Sequence, residues 1–303
     1  MNAEGFQKAM EFFRAAIDKD PNFALAHAGI ANVFMLLSIS NFAPPTDMWP
    51  KAKAAFQKAL ELDADLAEAH ALAASLALWY EWDWDAAEKS FKRALALNPG
   101  NASTHGQYAW FCFGRKRFDE TIKEIKLALN LDPLMPLFNF WSVGLHVGAR
   151  RFDEAIEEFH KAIELDPNNA MAYLHVGFAY SQKGLIDNAI GAFQKAKELG
   201  VYAGWAETML VFSYLAKGEK EKARQLFEDI LEQDKKSHVS SVHIGWLWGA
   251  WGNFDRAFES LNKAYEERDT LMPFIHIYSD LLGMEIRKDP RYHALLKKMK
   301  LDE

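Results

Sequence analysis

A repeat of 34 residues constrains the fold of this chain more than any other feature of its sequence. Residues 151–169 read RFDEAIEEFHKAIELDPNN, and a similar segment, RFDETIKEIKLALNLDP, begins 34 residues earlier at Arg117. In the later segment, apolar or small residues recur at the i, i+3, i+4, i+7 spacing of one buried helical face. We expect Asp153 to begin this helix and the Asp166–Pro167 pair to end it, because proline cannot donate an amide hydrogen bond.

The same positions recur along nearly the whole chain. A small residue marks the start of each such helix at Ala9, Ala52, Ala87, Thr121, Ala155, Ala189, Ala223 and Ala257. The first two spacings are 43 and 35 residues, and the remaining five are all 34. A larger apolar residue follows four positions after each small one, and a proline closes several units. These recurring positions indicate that the chain is a repeat protein.

This pattern resembles the tetratricopeptide repeat, a helix–turn–helix unit of 34 residues with an A-x3-F spacing and a late proline. The resemblance extends over nearly the whole chain. It implies an all-α fold, namely a right-handed superhelical solenoid of antiparallel helix pairs, closed by a C-terminal capping helix. Such a solenoid grows by adding units, so residues 1–303 need only one domain.

The period divides the chain into units. They are a leading half-repeat at 1–23, repeats at 24–66, 67–101, 102–135, 136–169, 170–203, 204–237 and 238–271, and a C-terminal cap at 272–303.

Two units and one junction depart from the period. A proline-rich insertion at about 38–50 contains Pro44, Pro45 and Pro50, which we expect to exclude regular helix. The next unit carries one extra residue near 79–84. The junction 200–204 (GVYAG) lacks the usual proline, so it is either a hinge or simply a different turn.

The chain starts within the second helix of a unit, which suggests a piece of a longer protein or an atypical first cap. The apolar face of that half-unit predicts a homodimer as one mode of self-association. The segments AYEERD, DPRYHALL, WDWDAAEKSFKRALALNP and FAPPTD are similar to the C-terminal tetratricopeptide arrays of bacterial multidomain signalling and transcriptional regulators. That resemblance implies a regulatory or scaffolding module.

Composition limits the partners and the compartment. The net charge of −7 argues against nucleic acid and anionic membranes as general partners. The single cysteine, Cys112, excludes an internal disulfide and fits a reducing compartment. No apolar run is long enough to cross a membrane, and the first residues do not resemble a signal peptide. We therefore expect a cytoplasmic protein.

In the repeat family, the first helices of successive units line the concave surface. The family's groove positions predict these contact residues: Trp110, Phe113, Phe140, Trp141, Met171, His175, Phe178, Trp205, Met209, Phe212, His243 and Trp246. This aromatic and methionine-rich set, with almost no charge, suits an apolar peptide or an amphipathic helix. Alternatively, the same side chains pack on neighbouring units, on the 38–50 insertion or on the C-terminal tail.

The groove does not match the family's carboxylate clamp, which binds the acidic tails of heat-shock chaperones through lysine, asparagine and arginine. Only Asn32 matches that clamp, so we do not expect such a tail as partner.

No catalytic residue, cofactor site or metal site is predicted. His27, His70 and His105 are each separated by a whole unit, unlike the i, i+4 spacing of a helical zinc site, and we expect packed or half-exposed histidines. Nucleotide-binding loops, nucleophile elbows and kinase motifs are missing from the sequence. We therefore do not predict an enzyme.

Two functions remain open. One is a protein-interaction scaffold, for which Phe178→Glu should leave the helical fold intact and abolish partner binding. The other is a sensory module that responds to a small ligand or to an intramolecular contact.

Overall fold

The computed structural model describes residues 3–40, 42–200, 204–236 and 239–301. Within those residues the chain forms 17 α-helices and no strand, and about 80% of it is helical. The predicted all-α fold class is therefore confirmed. Most of the suggested hinge at 200–204, and His238, lie outside the described residues.

The helices have the following bounds: α1 (Ala3–Lys19), α2 (Ala24–Ile39), α3 (Pro45–Leu62), α4 (Ala67–Leu76), α5 (Trp84–Leu97), α6 (Ala102–Gly114), α7 (Phe118–Leu131), α8 (Pro136–Gly148), α9 (Phe152–Leu165), α10 (Ala170–Gln182), α11 (Ile186–Glu198), α12 (Trp205–Lys217), α13 (Lys220–Asp234), α14 (Ser241–Ala250), α15 (Phe254–Glu267), α16 (Ile275–Leu281) and α17 (Pro290–Lys298). We call α2, α4, α6, α8, α10, α12 and α14 the first helices, and each packs against the helix that follows it.

Small residues allow the paired helices to approach closely. In α9, the small and aromatic residues Ala155, Phe159 and Ala162 are buried, as the sequence pattern predicts. In the next pair, a Cβ atom at Gly177 would lie 2.4 Å from Cε1 of Phe193, so the ring of α11 needs the glycine of α10. These positions therefore recur because the helix interface leaves no room for larger side chains.

The start of α9 differs slightly from the prediction. The helix begins at Phe152, with Arg151 at the N-cap position, rather than at Asp153. Asp153 instead lies in the first turn, where its charge interacts favourably with the helix dipole. The helix ends as predicted, with Asp166 as its C-cap.

The prediction that the prolines of the insertion exclude regular helix is wrong beyond Pro44. Helix α3 begins at Pro45, a first-turn position that suits proline, and continues through Pro50. Pro50 cannot donate to the carbonyl of Thr46, which weakens one turn of the helix. The neighbouring Trp49 is almost completely buried, and we attribute the persistence of the helix to that packing.

The extra residue near 79–84 is accommodated in a π-helical turn, Ala77–Glu81, at the end of α4. Such turns insert a single residue into a helix. The turn ends at Trp82, whose backbone is left-handed with φ of 55°. Asp83 then caps α5 by accepting a hydrogen bond from the amide of Ala86 at 3.2 Å.

The C-terminal end of the chain returns to its first third. Helix α17 buries Tyr292, Leu295 and Leu296, the apolar face expected of a capping helix. The indole Nε1 of Trp84 donates to the carbonyl of Met299 at 2.8 Å. The C-terminal end of the array therefore contacts α5 in the first third of the chain as well as the preceding unit.

Candidate functional site

The predicted contact residues divide into a buried and a half-buried set. The buried residues are Trp110, Phe113, Trp141, His175, Phe178, Trp205, Met209, His243 and Trp246. The half-buried residues are Phe140, Met171 and Phe212. Most of the predicted binding surface is therefore covered by the chain itself.

The cover consists of residues 272–281, a 3₁₀ turn (Met272–Phe274) followed by α16, and we call it the covering segment. The ring centroid of Phe274 lies 5.1 Å from that of Trp110 and 5.6 Å from that of Phe113. The ring of Tyr278 lies 5.9 Å from Phe178 and 6.2 Å from Trp246. These rings fill the centre of the superhelix in place of a partner.

Polar contacts fix the covering segment in position. The indole Nε1 of Trp246 donates to Ser279 Oγ at 3.1 Å, and Gln182 Nε2 donates to the carbonyl of Leu281 at 2.8 Å. Asp280 forms an ion pair with Arg150 at 2.8 Å. Of the alternatives raised by the sequence, packing on the C-terminal tail accounts for the burial of Trp110, Phe113, Phe178 and Trp246. Packing between neighbouring units contributes as well, as between Trp110 and Trp141.

Burial also overturns the expectation that Phe178→Glu would leave the fold intact. Phe178 is 2% exposed and its ring lies between those of Phe193 and Tyr278. A glutamate there would place a charge in an apolar core, which costs several kcal/mol unless the group is neutralised.

The opposite half of the concave surface is open. A cavity of about 970 Å³ crosses the N-terminal halves of α4, α6, α8 and α10 and one face of α2. It includes Leu25 and Asn32 of α2, Gln107 of α6, Phe140 of α8 and Met171 of α10. Three predicted contact residues, Phe140, Trp141 and Met171, line it. Gln107 also occupies a groove position of the repeat, whereas Leu25 was not among the residues predicted to face the groove.

The charge of this cavity is slightly negative. Its charged residues are Glu68 and Asp166, and its described lining contains no lysine or arginine. Asn32, the single match to the carboxylate clamp, therefore stands without the basic side chains that a carboxylate would need. The cavity favours neutral or basic segments over acidic ones.

The histidines at the start of the first helices have a structural role. The Nε2 atoms of His27, His70 and His105 lie 3.1, 2.9 and 2.9 Å from the carbonyl oxygen six residues earlier. Each ring thus closes the turn that joins its unit to the preceding one. Across the described part of the chain, no group of three or more potential metal ligands is present.

The basic turns that recur along the array are paired with carboxylates of the preceding unit. Arg117 makes two hydrogen bonds with Glu88, at 2.9 and 2.8 Å, and this holds the pKa of Glu88 at about 2. Arg151 contacts Asp119 at 2.6 Å in the same way. The arginines of these two turns are therefore both paired with carboxylates.

Three histidines are buried in the covered region. Burial lowers the pKa of His175 to about 4, and that of His243 and His276 to about 3. They are neutral at physiological pH. Neither ring nitrogen of His243 has a hydrogen-bond partner within the described residues.

Cys112 is also completely buried, as expected for a small apolar residue. Burial raises the pKa of its thiol, so the reactive thiolate is disfavoured.

Comparison with known proteins supports the repeat assignment. Profiles described as "TPR repeat" and "Tetratricopeptide repeat" match residues 151–184, 72–136 and 170–199. The type IV pilus assembly protein PilF of Pseudomonas aeruginosa is 33% identical over 86 residues, which is 28% of this chain. The match spans only about a third of that relative, 33% of its length.

Solved structures show the same fold at low sequence identity. The structure of PilW, a type IV pilus biogenesis factor, is 20% identical with a TM-score of 0.56, covering 69% of this chain and 95% of PilW. Yeast Tom70 is 20% identical with a TM-score of 0.54, covering 98% of this chain and 62% of Tom70. P. aeruginosa PilF has 19% identity and a TM-score of 0.51, covering 70% of this chain and 93% of PilF.

None of the described helices has the length and hydrophobicity needed to span a membrane. The likeness to the C-terminal arrays of bacterial regulators stays a prediction. Residues 72–136 and 151–199 therefore match tetratricopeptide repeats, and the described helices fold as an all-α array like those of the solved structures.

Proposed function

We propose that the chain is a protein-interaction scaffold that binds a peptide segment in the open cavity along α2, α4, α6, α8 and α10. The observation that carries this proposal is the cavity itself, about 970 Å³ in volume and continuous across five first helices. Its size lies at the upper end of the range for ligand pockets. Its length along successive units suits an extended or helical segment better than a compact ligand.

The lining supports an apolar segment with few polar contacts. Leu25, Phe140 and Met171 supply apolar area, and Met171 can adapt its shape to different partners. Asn32 and Gln107 can hydrogen-bond to the partner's backbone. Because the charged residues are acidic, the segment should be neutral or basic.

This proposal moves the partner site away from most of the aromatic residues first expected to form it. Phe140, Trp141 and Met171 remain in the site, whereas the eight other buried residues do not line this cavity. Phe212 is half-buried and lies outside this cavity.

Self-association is a separate proposal with its own surface. Phe12 on α1 is 74% exposed, an unusual exposure for a phenylalanine. A homodimer through α1 would cover this side chain.

The test selects peptides from a displayed random library on the wild-type protein and measures their affinity by titration. Leu25→Glu introduces a charge into the cavity, where Leu25 is 46% exposed. The matched control is Leu185→Glu, which is 42% exposed and lies outside the cavity. We expect Leu25→Glu to weaken binding by about tenfold or more, the effect of losing one anchoring contact.

The control variant should bind like the wild type, and circular dichroism should show that both variants are as helical as the wild type. Equal binding by Leu25→Glu and the wild type would refute the cavity as the peptide site. Enrichment of acidic peptides would contradict the charge argument.

A further inference from the structure

A second cavity, of about 730 Å³, lies between two parts of the chain that are distant in sequence. One wall is the end of α2, the following loop and the start of α3, including Phe42, Pro44 and Pro45. The other is formed by the end of α15 and the turn after it. His243 is its most deeply buried lining residue, at 2% exposure, and Trp205 is buried at 8%. The cavity is therefore a cleft where the first and last turns of the superhelix face each other.

The charged side chains of this cleft are all acidic. Its described lining contains Glu266, Glu267 and Asp269, and no lysine or arginine. Arg268, which lies between these carboxylates in sequence, has its guanidinium 4.1 Å from the ring centroid of Trp82 instead. The backbone of Arg268 is left-handed, with φ of 57°. Its side chain therefore leaves the helix in a different direction from those of the neighbouring carboxylates.

The three carboxylates differ in the hydrogen bonds and ion pairs that they already form within the protein. Asp269 accepts hydrogen bonds from Ser240 Oγ at 2.6 Å and from the amide of Leu271 at 3.0 Å, so its role is structural. Glu267 accepts from Ser241 Oγ at 2.9 Å and forms a long ion pair with Lys263 at 3.7 Å. Glu266 is exposed and forms no hydrogen bond or ion pair within the described residues. Glu266 is thus the carboxylate available to a ligand.

The buried end of the cleft also contains polar atoms that have no hydrogen-bond partner within the described residues. Both ring nitrogens of His243 and the indole Nε1 of Trp205 lack partners among the described residues. The two rings lie together, with centroids 5.6 Å apart. Buried polar groups without partners are rare in folded proteins and are usually satisfied by a ligand or an ordered water molecule. Burial holds the pKa of His243 at about 3, so its ring is neutral and one nitrogen can accept a hydrogen bond.

We propose that this cleft binds a small organic cation that has a protonated amine and an apolar, preferably aromatic, body. The ammonium group would be stabilised by Glu266 and Glu267 and could donate a hydrogen bond to His243. The apolar body would pack against Phe42 and Trp205. Aromatic rings with nearby carboxylates are a favourable environment for such cations. The proposal does not rest on peptide binding, because the two cavities are lined by different residues apart from Ile39.

The test is isothermal titration of the full chain with three probes of similar shape and different charge, namely phenethylammonium, phenethyl alcohol and phenylpropionate. We expect phenethylammonium to bind, the alcohol to bind more weakly and the anion not to bind. Glu266→Gln should weaken phenethylammonium binding by up to about fivefold, the effect of losing one partly exposed charge pair. The matched control is Glu259→Gln on the same helix, outside the cleft, which should bind like the wild type.

A second variant, His243→Phe, removes both unpartnered nitrogens while keeping an aromatic ring. It should weaken binding by about tenfold without lowering the thermal stability of the free protein, because no hydrogen bond within the described residues is lost. No binding of phenethylammonium, or equal binding of all three probes, would overturn the proposal. Unchanged binding by both Glu266→Gln and His243→Phe would place the cation elsewhere and overturn it equally.

Discussion

The two halves of the concave surface come from the same helices but serve different purposes. In α10, Phe178 lies under the covering segment and is almost completely buried, whereas Met171, two helical turns earlier, lines the open cavity. In α6, Trp110 packs on Phe274, whereas Gln107 lines the cavity. The repeat pattern assigns all four positions to the groove. Whether a groove residue becomes core or contact surface is therefore decided by the segment that packs on it.

This difference gives the C-terminal segment a defined structural role. Residues 272–281 occupy the position that a partner helix takes in a helix-in-groove complex, and they belong to the same chain. The remaining open half is less aromatic and more polar, with Asn32, Thr104 and Gln107 among its lining residues. A partner that binds there needs no rearrangement of the covering segment.

The largest effect should come from truncating the side chain that anchors the cover. Phe274→Ala removes a ring that is 2% exposed and contacts Trp79, Trp110 and Phe113. We expect the free energy of unfolding to fall by about 3–5 kcal/mol, as for other buried phenylalanines. The comparison is Phe140→Ala in the open half, which should cost about 1–2 kcal/mol because this ring is only half-buried.

Chemical denaturation of the two variants would measure both values. Equal losses would mean that the covered and open halves do not differ in packing, contrary to the structure.

Acidification should lower the free energy of unfolding by a smaller amount. This loss should also originate in the covered half, at His276. Burial, and to a lesser degree the nearby Lys116 and Arg115, lower the pKa of His276 to about 3, from 6.5 for an unperturbed histidine. The folded state therefore binds fewer protons than the unfolded state. The stabilisation is fully present above about pH 6.5 and is lost progressively as the pH falls towards the folded-state pKa.

At about pH 5 this loss amounts to roughly 2 kcal/mol, at 1.36 kcal/mol for each pKa unit. His276→Phe should remove it, so the variant's free energy of unfolding should fall less steeply than that of the wild type between about pH 6.5 and pH 5. Denaturant titrations at several pH values would show this. Parallel pH profiles would indicate that His276 is not buried as a neutral ring.

The sequence predicted the local architecture well because helix pairing is encoded locally. The apolar spacing and the proline of residues 151–169 predicted α9 to within one residue at its start. The extra residue near Trp82 was visible from the period alone, although its π-helical form was not. Pro50 was misread because its local helix-breaking effect is outweighed by the burial of Trp49, which depends on tertiary packing.

The covering segment could not be predicted in the same way. Phe274 packs on Trp110 across 164 positions of sequence, and the periodic pattern ends before Phe274. A single sequence shows that both segments are apolar, but it does not show that they pack against each other. The second cavity was missed for the same reason, since it joins residues near Phe42 with residues near Glu266.

The most direct test of this account compares Met171→Glu with Phe178→Glu by urea denaturation. Both residues lie on one face of α10, and both variants introduce the same charge. We predict that Phe178→Glu lowers the free energy of unfolding by more than about 4 kcal/mol and that Met171→Glu lowers it by no more than about 1 kcal/mol. If Phe178→Glu proved as stable as Met171→Glu, the covering segment would not occupy the groove, and the division of the concave surface into core and binding site would be contradicted.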